Sequence, residues 1–110
     1  MKLRKITFAF SLLALLPTLA TAAGDPAQGK EKSAVCQACH GATGIAVQSI
    51  YPNLAGQHQD YLVRSLEGFR DGSRPNAIMS GFAAGLSDSD IEDISAWYAS
   101  QSGLTEIKDK

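Results

Sequence analysis

The stretch "AVCQACHGATG", Ala34 to Gly44, holds both cysteines of a 110-residue chain, three positions apart, with a histidine directly after the second. No other feature constrains the fold as strongly. Two cysteines allow one disulfide, and a loop closed across three residues would barely restrict the unfolded chain. A cross-link at this point would therefore do little to hold a domain together.

The working domain is smaller than the chain. "MKLRK" supplies Lys2, Arg4 and Lys5, "ITFAFSLLALL" (Ile6 to Leu16) is an uncharged apolar run, Pro17 breaks it, and "ATA" at Ala20 to Ala22 offers small residues for cleavage. This is the three-part pattern of a secretory signal over residues 1–22. An uncleaved membrane anchor is the rival reading, but the apolar core is short for a span. A mature chain over residues 23–110 is expected, with no stable membrane insertion. Without residues 1–22, Lys plus Arg falls from 10 to 7 against 11 Asp plus Glu, a net charge of −4. That mild acidity carries no basic patch suited to nucleic acid. A domain of this size builds only a marginal core from its own side chains.

Asp25-Pro26 reads as a helix start, with Asp25 as the cap and Pro26 in the first turn. That helix is expected to run to the first cysteine. "GATGIAVQSIYPNLAG" (Gly41 to Gly56) is loop-like, without a charge. In "HQDYLVRSLEGFRDG", Leu62, Leu66 and Phe69 share one helical face with Tyr61 and Ser65, and Gly72 ends the helix. "SRPNAIMSGFAAG" (Ser73 to Gly85) reads as a second long loop. In "LSDSDIEDISAWYASQ", Ser87 and Asp90 have capping-box spacing, and Ile91, Ile94 and Trp97 or Tyr98 form the buried stripe. Asp88, Asp90, Glu92 and Asp93 crowd the first turns, where the helix dipole favours negative charge. The expected class is all-α, three to four helices with two long loops, and loops of that length are costly unless they wrap something.

Cys36-Gln37-Ala38-Cys39-His40 is the attachment signal for c-type haem. Two thiols on one helical turn can each form a thioether to one of two vinyl groups, leaving His40 placed beneath the iron. A covalently held porphyrin would supply the missing core and give the loops something to pack on. A structural zinc site wants four ligands, and only His58 remains. A thioredoxin-like pair expects a βαβ setting that this chain lacks. A plain disulfide is the simplest alternative. For the second axial position, Met79 is the one methionine left after residues 1–22, in a polar, glycine-containing loop. His58, at a helix start and expected near the surface, is its competitor. Met79 is favoured; a thioether is a soft, neutral ligand that raises the reduction potential.

Beyond "CQACH", the stretches "YPNLAGQ", "YLVRSLEGFRDGSR", "IMSGFAAGLSDSDI" and "ISAWYASQ" follow in order. With these the chain resembles the class I c-type cytochromes over residues 24–103. Among them it is similar to the small bacterial group whose domain also occurs doubled in dihaem cytochromes of the c-four type. The resemblance implies a cytochrome c fold of helices around one haem c, with the first and last helices crossing at Gly29 against Ile94 and Trp97. It implies thioethers at Cys36 and Cys39, His40 as proximal ligand and Met79 as distal ligand. Pro52 matches a proline whose carbonyl accepts from the proximal imidazole, a bond that fixes ring orientation. Ser33 departs from the pattern, since relatives often place an aromatic there, and a looser crossing is the expectation. The function implied is a periplasmic one-electron carrier and not an enzyme, serving redox proteins such as a terminal oxidase, reductase or dehydrogenase. Two alternatives stand beside it: an electron-transfer subunit of a larger dehydrogenase, and a haem sensor or enzyme with a displaceable Met79. Arg64, Arg70 and Arg74 are candidates for steering partners or meeting haem propionates, or else a solvated helix face.

Overall fold

The computed structural model describes residues 23–104, together with Met1. The secretory signal expected over residues 1–22 lies outside the described residues. Five helices follow in order: α1 (Pro26–Lys32), α2 (Gln37–His40), α3 (Gln59–Asp71), α4 (Met79–Ala83) and α5 (Asp88–Ala99). No strand occurs among the described residues, and none of their helices is long and apolar enough to cross a membrane.

Asp25 caps α1 as its spacing requires, its carboxylate accepting from the Ala27 amide at 2.8 Å, with Pro26 in the first turn. The helix does not continue to Cys36. The Ala34 amide turns back to the Glu31 carbonyl at 3.3 Å and the Ser33 hydroxyl donates to the Lys30 carbonyl at 2.9 Å, tightening the backbone. A turn over residues 33–36 then leads into the separate single turn of α2.

In α3, Leu62 is buried and Leu66 half-buried beside it, and Gly72 closes the helix at φ +85°, donating to the Gly68 carbonyl. Only glycine adopts that left-handed conformation without penalty. Tyr61 departs from expectation. It is exposed, with its ring beside the Arg74 guanidinium, because the buried stripe of α3 is narrower than the apolar pattern allows. The segment 73–85, expected as loop throughout, contains α4. Ala83 is fully buried and anchors it, while Gly81 and Gly85 stand in open space and disguise it in the sequence.

The capping box of α5 is complete: the Asp90 amide donates to the Ser87 hydroxyl at 3.1 Å and the Ser87 amide to the Asp90 carboxylate at 3.0 Å. Ile91, Ile94 and Tyr98 are buried. Leu62, Ile94 and Tyr98 form the core cluster, against which Cys36, Leu54, Leu66, Leu86 and Trp97 pack.

α1 and α5 cross at Gly29. A β-carbon there would run into the Asp93 carbonyl and come within 2.9 Å of Trp97 Cβ, so hydrogen is the only side chain that fits. Asp93, itself buried, accepts from the Asp25 amide at 2.7 Å and from Lys32 Nζ at 2.6 Å, while Lys32 also pairs with Asp90 at 3.0 Å. Lys30 sits over the Trp97 ring, 5.6 Å from its centre. Ser33 leaves no gap: it is fully buried, its hydroxyl accepting from Gln37 Nε2 at 3.3 Å, and the Tyr98 phenol lies beside it. The expected looseness is absent because a tyrosine from α5 fills the space.

Candidate haem site

The turn of α2 gathers Cys36, Cys39 and His40. Cys36 stands at its N-terminal boundary and the other two lie within it. Both thiols are free and half-buried. Burial pushes the Cys36 thiol above its ordinary value, which disfavours the thiolate. The Tyr51 hydroxyl interacts with Cys39, which raises the tyrosine's own pKa.

His40 is 7% exposed, and its Nδ1 lies 2.8 Å from the Pro52 carbonyl oxygen. A carbonyl only accepts, so Nδ1 carries the proton and donates. In the neutral imidazole this leaves the lone pair on Nε2, where a metal can take it. The Pro52 carbonyl is held in place by a folded loop. Gly41 at φ +81° turns the chain out of α2, and the Leu54 and Ala55 amides both donate to the Gly44 carbonyl, at 2.8 and 3.1 Å. The Ala46 amide donates to Asn53 Oδ1 at 2.8 Å, and the Val47 amide to the Cys39 carbonyl at 3.1 Å. α5 fixes the loop from behind: Trp97 Nε1 donates to the Ala42 carbonyl at 3.3 Å and the Tyr98 hydroxyl to the Gly41 carbonyl at 3.4 Å. Asn53 was not singled out from sequence; an asparagine in a Pro-Asn loop is a turn signal, and here the turn it forms sets the proximal carbonyl.

Met79 stands on a different element, as the first residue of α4, and is partly exposed. α4 packs against α3, not α2. His58 is exposed at the boundary of α3, at the rim of an open cleft of about 430 Å³ lined also by Gln57, Asp60, Tyr61 and Arg64. Each of the three arginines has partners within the chain. Arg64 pairs with Asp60 at 3.0 Å; Arg70 donates to the Leu86 carbonyl at 3.0 Å and to Asp88 at 2.7 Å. Arg74 donates to the Ser65 hydroxyl at 2.8 Å and lies 4.8 Å from the centre of the Phe69 ring.

These residues fit a covalently attached haem. Two unpaired thiols share one turn with a buried imidazole whose Nδ1 is already bonded. The segments bearing the proximal loop and Met79 carry apolar side chains at the surface, Ile45, Val47, Ile50, Ile78 and Phe82, suited to the faces and edges of a porphyrin.

An all-α fold with such a turn defines a class of haem protein, and the family model for cytochrome c matches residues 26–102. The chain belongs to the cytochrome c family. Over 82 residues it is 50% identical to cytochrome c-554(548) of Halomonas halodenitrificans, an alignment covering 72% of this chain and 99% of that one. Over 99 residues it is 43% identical to cytochrome c4 of Pseudomonas aeruginosa, covering 90% of this chain and 49% of the relative. The fold superimposes on crystalline reduced recombinant cytochrome c4 from Pseudomonas stutzeri with a TM-score of 0.70 and 40% identity, over 79% of this chain and 50% of that one. The chain thus spans about half the length of the cytochromes c4 it matches. It is a c-type cytochrome of the c4 type that binds haem c covalently and works in electron transfer, not as an enzyme.

Proposed function

We propose that the chain is a periplasmic one-electron carrier whose haem is joined through Cys36 and Cys39, with His40 and Met79 as axial ligands. The bound haem would supply a metal that cycles between Fe(II) and Fe(III). His40 offers Nε2 because the Pro52 carbonyl holds the Nδ1 proton, and that bond orients the ring and makes it a better donor. Met79 offers a neutral thioether, which favours the reduced ion and raises the potential. With His40 and Met79 both holding the metal, no position would be left for a substrate. The surface apolar residues around it suit a small, transient interface with a redox partner such as an oxidase, reductase or dehydrogenase. Export rests on the signal-like pattern of residues 1–22.

The single observation that carries the reading is the buried His40, bonded at Nδ1 to Pro52 at 2.8 Å and flanked by two free thiols. Absorption spectra of the purified holoprotein and of Met79→Ala test the ligand set. The wild type should show the weak far-red band of methionine-ligated ferric haem, and the variant should lack it. Identical spectra would remove Met79 from the site.

A further inference from the structure

α4 has only five residues, too few to be stable on helix propensity alone, and Ile78 at its boundary offers no side-chain cap. Three of the amides at its start are satisfied by one residue, and the Gly81 amide donates to the Ile78 carbonyl. Asn76 Oδ1 accepts from the Ile78 amide at 3.0 Å and from the Met79 amide at 2.8 Å, and the Asn76 main-chain carbonyl accepts from the Ser80 amide at 2.9 Å. Three consecutive donors centred on Met79 therefore converge on a single side chain and its own carbonyl. Pro75, just before, restricts the backbone that delivers Asn76. The far end of the segment is tied separately: Ala83 is fully buried, and Arg70 holds the Leu86 carbonyl. Between these anchors, the backbone turn that carries Met79 is held by the Asn76 side chain and carbonyl.

We infer that Asn76 is a positioning residue for Met79, its side-chain carbonyl fixing the first turn of α4 so that the thioether stays directed at the sixth position of the iron. This rests on Met79 being the distal ligand. An exogenous base can take the sixth position only in molecules where Met79 has swung away, so its apparent affinity reports that fraction. Loss of an N-cap raises an opening equilibrium roughly two- to thirtyfold.

Imidazole is the probe, titrated into the ferric holoprotein and followed by loss of the methionine band. Asn76→Ala should bind imidazole roughly two- to thirtyfold more tightly than wild type. Asn76→Ser, which caps comparably, should stay close to wild type. Asn76→Gln keeps the amide but is too long to cap, and should behave like Asn76→Ala. That pair decides the matter even where the alanine variant fails to mature. Wild-type affinity in both the alanine and glutamine variants would overturn the inference. So would equally tightened imidazole binding in the serine and glutamine variants, which would trace the effect to loss of asparagine rather than of a cap. Met79→Ala separates the two readings: if it retains the band, the ligand assignment fails and Asn76 loses its role with it. If it loses the band while the Asn76 variants match wild type, only the role of Asn76 falls.

Discussion

Tyr98 shows how one side chain links the core to the site. It is 1% exposed, packs with Leu62 and Ile94, and donates to the Gly41 carbonyl where the chain leaves α2. Its pKa is pushed up to about 12, mainly by burial and secondarily by the nearby Cys36 thiol. The second contribution disappears once Cys36 is a thioether; burial remains. A tyrosine neutral in the fold but ionised in the unfolded chain stabilises the fold fully below its ordinary value of about 10 and loses that contribution as pH rises toward the folded value. Denaturant unfolding of the holoprotein should therefore show stability falling from about pH 10 upward, and the fall should be shallower in Tyr98→Phe. Equal slopes would mean that another group governs the alkaline side. His40 and Pro52 were legible as a pair from their matched positions. Asn53 and Asn76 were not, because an asparagine in a loop signals a turn without saying whose backbone the turn will hold.

At the scale of elements, the crossing of α1 and α5 depends on Gly29. Replacing it with alanine places a methyl against the Asp93 carbonyl and should cost about 1–3 kcal/mol in equilibrium unfolding, with the haem spectrum unchanged. A neutral result would show that the helices can separate freely. The same crossing has an acid sensitivity. Lys32 first, then the Asp25 amide, holds the Asp93 carboxyl below the usual carboxylate range. A depressed carboxylate contributes stability above its unfolded pKa of about 4 and loses it as pH falls through the folded value. Asp93→Asn should be less stable than wild type at neutral pH and should lose less as the solution is acidified below about pH 4. The crossing at Gly29 was implied by the family resemblance, whereas the α5 capping box and the α3 stop at Gly72 were readable, since each is a local rule obeyed locally. The break after Lys32 and the existence of α4 were not. Both depend on tertiary anchors, a buried Ser33 and a buried Ala83, and small residues carry no hydrophobic period to announce them.

At the scale of the whole molecule, the buried apolar set among the described residues is small: Ala55, Leu62, Ala83, Ile91, Ile94, Ala96 and Tyr98, three of the seven being alanines. A core of that kind leaves a small domain near the margin of stability. A covalent haem would complete it, in keeping with Cys36 packing on the core cluster and with the uncharged loop that follows the turn of α2. Chain made without haem attachment should show reduced helix content by far-ultraviolet circular dichroism and a broad thermal transition. A sharp, holoprotein-like transition in that material would show that the polypeptide needs no prosthetic core.

The most direct test is peptide mapping by mass spectrometry on protein produced with its maturation machinery. The peptide spanning Cys36 to His40 should carry the mass of one haem, with neither cysteine available to a thiol-alkylating reagent. Recovery of that peptide at its bare mass, with both cysteines alkylated, would contradict the account.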